Sequence, residues 1–172
     1  MIEGVKRLWV FCPLLLGAYQ LYQVVPHRLE EARSRSTLLR EDGGRNDELY
    51  RWLREESPKD AIYLTPPDLE GARFLGQRAI VVDWKAVPLI PTELLGWYER
   101  LCDVTGRQVK GMGDLGGYNS LDPERLSLIV SKYHPAYMVL RREAARRFPD
   151  LPVVYKNSGY SVLKIGDSPG QP

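Results

Sequence analysis

The sequence predicts an α/β protein: an N-terminal single transmembrane helix, then a small, mostly parallel α/β sheet domain with a C-terminal antiparallel hairpin. Three observations carry this. Residues Leu8–Val25 hold no charge. From Asn46 onward, short unbroken apolar runs alternate with helix-period stretches, the pattern of parallel strands buried on both faces and joined by helices. Near the C-terminus Asn157-Ser158-Gly159 separates two strand-like runs, which is a hairpin signal. The chain therefore divides into an anchor at residues 1–25, a helical stalk at 26–45, a soluble α/β domain at 46–165 and a polar, flexible tail at 166–172.

At about 1.5 Å per helical residue, Leu8–Val25 reaches roughly 27 Å, close to the thickness of a bilayer's hydrocarbon core. Trp9 lies near one end and Tyr19 and Tyr22 near the other, where an interfacial aromatic belt sits. A cleaved signal peptide is the rival reading, but cleavage after Ala18 would put bulky Leu16 where a small residue is needed. Gln20 and Gln23, three apart, share a helix face. An amide in hydrocarbon needs a partner, so this face is expected to meet another helix or the headgroup layer. Gly17 permits close backbone approach, and Pro13 removes a donor from the ladder and kinks the helix. His27, at the membrane surface, reads as an interfacial anchor rather than as a ligand to a neighbour's pigment metal. These eight residues are the expected contacts with the lipid bilayer and with partner helices.

Composition narrows the rest. The net charge of +2 gives no electrostatic footprint for nucleic acid. Two cysteines make no disulfide framework, and two histidines cannot build an all-histidine metal site. No metal and no cofactor is expected. Arg28, Arg33, Arg35 and Arg40 follow the anchor, so a bare count of positive charges keeps the domain in the cytoplasm.

Along the domain, Asn46 reads as the cap of a helix whose buried stripe is Leu49, Trp52 and Leu53, ended by Ser57-Pro58. Ala61–Leu64 and Ala79–Val82 are buried strands. Pro91 opens a helix with apolar positions Leu94, Leu95, Tyr98, Leu101 and Cys102, running to Gly106. Asp122-Pro123 starts another, with the stripe Leu126, Ile129, Val130 and Tyr133, stopped by His134-Pro135. Tyr137–Leu140 is a third strand and 142–148 a short helix.

Chemistry is harder to find. Gly111-Met112-Gly113-Asp114-Leu115-Gly116 fits the G-x-G-x-x-G string, but no strong strand precedes it and the next helix begins only at Asp122. A pyrophosphate site needs both, so a mobile or partner-contacting glycine loop is expected. Asp83 and Lys85 close a strand, where α/β ligand crevices often lie. With Gly111, Gly113 and Asp114 they are the candidate ligand residues. No catalytic residue is assigned, because nothing in the spacing selects a reaction and no G-x-S-x-G elbow exists.

Three stretches, AIYLTPPDLEGARFLGQRAIVVDWKAVP, LSLIVSKYHPAYMVL and LPVVYKNSGYSVLKI, resemble the soluble C-terminal domain of large bacterial multi-pass membrane proteins of the glycosyltransferase-like kind. The likeness runs from Asn46 to Ile165. It implies an inner-membrane protein with its domain on the periplasmic side, against the charge count. Such proteins carry many spans and hold their catalytic acids in membrane-proximal loops, and one anchor replaces all of that here. No family catalytic residue has a counterpart.

The resulting expectation is a non-catalytic accessory subunit: one helix among the transmembrane subunits of a hetero-oligomeric complex, with the α/β domain braced on its surface. A photosynthetic reaction centre with its antenna is the specific assembly expected, since such complexes recruit single-helix subunits. The alternative is a membrane-tethered enzyme or small-ligand binder working at Asp83 and Lys85.

Overall fold

The computed structural model describes residues 44 and 46–166. Trp9, Pro13, Gly17, Tyr19, Gln20, Tyr22, Gln23 and His27 lie outside the described residues, as do nearly all of the expected stalk and tail. Among the described residues no helix is long and apolar enough to cross a membrane.

Helix α1 takes in Gly44 and residues 46–55, so Asn46 lies inside the helix and not ahead of it as a cap. Its buried residues are Leu49, Tyr50 and Leu53, while Trp52 is half-buried and stacks on Tyr155 at 4.8 Å. Next come β1 (Ile62–Leu64), the single helical turn α2 (Gly71–Phe74) and β2 (Ala79–Ile80). The long helix α3 (Pro91–Thr105) is followed by a 3-10 helix (Met112–Ser120) and by α4 (Pro123–Tyr133). The chain ends with β3 (Tyr137–Arg141), α5 (Arg142–Ala145), β4 (Val153–Lys156) and β5 (Tyr160–Lys164).

The five strands form one sheet in the order β2-β1-β3-β5-β4. β1 runs parallel to both β2 and β3, whereas β5 runs antiparallel to β3 and to β4. The sheet is mixed, and its hairpin is inserted by its second strand, leaving β4 as the edge. Alternation along each strand sorts the core into two layers. Tyr63, Tyr137, Val139 and Val162 point to the side of α1 and α2, where they meet Leu49, Leu53, Leu69 and Ala72. Leu64, Met138, Leu140 and Leu163 point the other way, onto Trp97, Leu101, Leu126 and Ile129.

Helix α4 follows its expected rules. Asp122 accepts the Arg125 N–H at 2.8 Å, Pro123 occupies the first turn, and His134 closes the helix in the left-handed conformation (φ 51°) with its N–H on the Val130 carbonyl. Helix α3 departs from expectation. Its core side is Trp97, Leu101 and Val104, while Leu95 is 74% exposed, Leu94 and Tyr98 are each 39% exposed, and Cys102 is half-buried. Two apolar stripes sharing Leu101 run along this helix, and only one can face the sheet. The run Ala79–Val82 also shortens: only Ala79 and Ile80 pair with β1, which itself spans Ile62–Leu64, and Val81 and Val82 turn into the core.

Candidate functional site

In a doubly wound sheet, ligands enter where successive crossovers leave on opposite faces, beyond the carboxyl ends of the strands. Here α2 packs on one face and α3 and α4 on the other, so that point lies between β1 and β3. A side chain fills it. The Tyr118 hydroxyl lies 3.1 Å from the Leu64 carbonyl and 2.8 Å from the Val139 carbonyl, just past the last paired residues, Leu64 and Met138. One O–H thus reaches a backbone carbonyl on each of the two parallel strands. Burial pushes the Tyr118 phenol well above its ordinary value, so it stays a neutral donor and is unfit as a base.

The glycine-rich stretch delivers that tyrosine. It is not a loop but the 3-10 helix, with Asp114 accepting the N–H groups of Lys110 (2.8 Å) and Gly111 (3.2 Å) at its start. A side chain at Gly111, Gly113 or Gly116 would meet open space, whereas a Cβ at Gly117 would sit 2.3 Å from the Thr105 carbonyl oxygen. Gly117 is therefore the sterically required glycine, because it lets the turn before Tyr118 press onto the end of α3. Arg125 ties the same corner, donating to the Gly117 and Thr105 carbonyls.

Asp83 and Lys85 stand away from this point, beyond the edge strand β2. Asp83 is buried, its Oδ1 accepts the Lys85 N–H at 2.8 Å, and its carbonyl accepts the Trp97 indole N–H at 2.8 Å. The Lys85 ammonium pairs with Glu70 at 2.6 Å. Asp83 is thus a turn residue that docks α3. No hydrogen bond or ion pair among the described residues joins this pair to Gly111, Gly113 or Asp114.

Several residues of the block Thr65-Pro66-Pro67 to Asp83-Trp84-Lys85 hold the fold together. The Pro67 carbonyl accepts the Trp84 N–H, and Trp84 packs on Trp97 at 5.9 Å. Arg78 is only 5% exposed. Its guanidinium donates to the Arg54 and Ser57 carbonyls, to the Gln77 carbonyl and to the Ser57 hydroxyl, at 2.8 to 3.0 Å. No carboxylate among the described residues pairs with it. Its charge sits against the carbonyl end of α1, where the helix dipole favours a cation.

Between α3 and α4 an open cleft of about 750 Å³ is lined by Cys102, Asp103, Arg125 and Lys132. Lys132 bridges Glu99 and Asp103, and the Tyr133 hydroxyl donates to Asp103 at 2.6 Å. Burial opposes ionisation of Asp103, but Lys132 and Tyr133 outweigh it and hold the carboxyl below its ordinary range. Asp103 and Glu99 in turn keep Lys132 protonated, while burial and Asp103 push the Tyr133 phenol up to about 12. Each group is fixed in its ordinary charge state, which makes the cluster a strut between two helices and a poor proton relay.

Among the described residues an apolar strip is left exposed on and just before α3. Val87 is 48% exposed, Leu89 99% and Ile90 55%, and Leu94, Leu95 and Tyr98 continue the strip along α3. Soluble monomers seldom present such a run without a use for it. The sequence pattern places these last three residues on one apolar stripe with Leu101 and Cys102, but the structure buries only Leu101 of that stripe.

A family model described as a domain of unknown function (DUF6798) matches residues 46–104, about a third of the chain. That span carries α1, β1, α2, β2 and nearly all of α3. No curated protein and no solved structure matches the chain.

Proposed function

We propose that this chain is a non-catalytic, single-pass accessory subunit of a larger bacterial membrane protein complex. Its N-terminal helix docks among partner transmembrane helices, and its α/β domain braces against the extramembrane part of that assembly. The exposed strip from Val87 to Tyr98 carries this reading, since burying it against a partner recovers roughly 25 cal/mol for each Å² removed from water. The Tyr118 plug supports it by occupying the crevice that a ligand-binding sheet of this type would use. The charge-free stretch Leu8–Val25 is the proposed anchor, and the resemblance to extracytoplasmic domains of glycosyltransferase-like proteins supports a periplasmic domain. A photosynthetic reaction centre with its antenna is the specific candidate assembly.

The test is extraction of the full chain in mild detergent, followed by native mass measurement. Wild type travels with a large complex. Leu89→Glu combined with Leu95→Glu releases it while leaving its melting temperature unchanged, because neither side chain is buried. A wild-type chain that runs alone from washed membranes, or one found in the soluble fraction, overturns the proposal.

A further inference from the structure

At the sheet edge away from the apolar strip, α5 and the β4–β5 hairpin enclose a second groove, of about 510 Å³. Strand β3 passes directly into α5, and the Arg142 N–H donates to the Gly159 carbonyl at 3.1 Å, which fixes the helical turn against the hairpin. Arg142 and Arg146, four apart, enter the groove from one side. Lys156 and Ser161 are directly paired across β4 and β5, so their side chains project from the same face of the sheet. Ser158 lies at the hairpin end, and Glu143 is the one carboxylate among the lining residues.

Two observations single the groove out. Among the described residues, no hydrogen bond or ion pair engages the side chains of Arg142, Arg146 or Lys156, although other cations nearby are satisfied, Arg147 by the Asn119 carbonyl and Arg141 by Asp68. At the floor, Ser161 is only 4% exposed and lines the groove, which places a hydroxyl donor within it. Three cations around one carboxylate repel each other unless an anion joins them.

We infer that this groove binds a phosphate group. Two guanidinium forks, one ammonium and two hydroxyls offer more donors than the two oxygens of a carboxylate can accept. A phosphate presents three or four oxygens and takes guanidinium forks bidentately. The phosphate is either free or carried on a lipid headgroup. This inference does not rest on the accessory-subunit reading.

The full chain in neutral detergent is pulse-acylated with an amine-reactive ester, and modification of Lys156 is followed by mass spectrometry. Three conditions are compared: no addition, inorganic phosphate, and phosphatidylglycerol mixed into the micelles with phosphatidylcholine as control. A bound phosphate group slows Lys156 acylation by about tenfold, the loss expected when a charge-assisted contact masks the amine, and Arg142→Gln with Arg146→Gln removes that protection. Slowing by inorganic phosphate identifies a free anion. Slowing by phosphatidylglycerol alone identifies a headgroup. Lys156 that reacts equally fast in all three conditions, or protection that survives in the double variant, overturns the assignment. Melting of the double variant reports its folding, and both arginines are exposed.

Discussion

Arg78 is the most exacting place to test how this fold is held. Replacing it with Met keeps most of the aliphatic stem but removes every donor from the end of α1. The Arg54 and Ser57 carbonyls then lose their bonds of 3.0 and 2.8 Å, and the Ser57 hydroxyl loses a third at 3.0 Å. An orphaned buried acceptor costs about 1–3 kcal/mol. Relief of the desolvated charge offsets part of this, so the net loss is about 3 kcal/mol. Arg78→Lys retains one donor group able to serve the two α1 carbonyls and is expected to lose about half as much. The assay is urea unfolding of the full chain in neutral detergent, read by tryptophan emission. With a slope of about 1–3 kcal/mol/M, the Met variant's midpoint falls by about 1–3 M at unchanged slope. A midpoint within about 0.2 M of wild type refutes the idea that the guanidinium caps α1.

Three further outcomes follow from the same structure. Leu101→Ala removes a fully buried side chain and is expected to cost about 2–5 kcal/mol, whereas Leu95→Ala on the outer stripe changes stability by less than about 0.5; equal losses in the urea assay would restore the stripe that the sequence pattern favours. Gly117→Ala drives a Cβ onto the Thr105 carbonyl and costs about 1–3 kcal/mol, while Gly113→Ala is neutral or stabilising, with thermal melting as the readout. Asp103 has a folded pKa below its unfolded one, so its contribution is present above the ordinary carboxylate value of about 3.9 and is lost as pH falls through the lower folded value. Because Lys132 and Asp103 are partly exposed, the effect is a few tenths of a kcal/mol, and Asp103→Asn flattens the acid limb of a stability–pH curve by that amount.

How much of this was legible in the chain varies with the kind of signal. Helix α4 was readable because its cap, its first-turn proline and its single apolar stripe agree with one another. Helix α3 was not, because it is apolar on two sides, and periodicity cannot say which side meets a sheet. Ala79–Val82 reads as a four-residue strand, but pairing is set by the neighbour, and β1 ends at Leu64. The glycine-rich stretch reads as a loop because 3-10 turns leave no periodic mark. Tyr118, two residues past Gly116, was passed over although an aromatic following paired glycines is a fair sign of close packing. Asp83 and Lys85 read as closing the strand Ala79–Val82, but β2 ends at Ile80 and is an edge strand, and the crevice lies between β1 and β3. Arg78 stands inside the distinctive block from Thr65 to Lys85, where only its charge was legible and not the helix end that it caps.

The family match stops at residue 104, whereas the core does not. Val104, at that boundary, is fully enclosed by a cluster that includes Leu115, Tyr118, Ile129, Met138 and Leu163. The strand on which β1 leans, β3, also lies beyond it. A fragment cut there would keep a two-stranded sheet, which is marginal by itself, and would expose the inner side of α3 to water. Residues 46–104 are therefore no folding unit by themselves: in this chain β3 and the tyrosine wedge complete the core on which that segment stands.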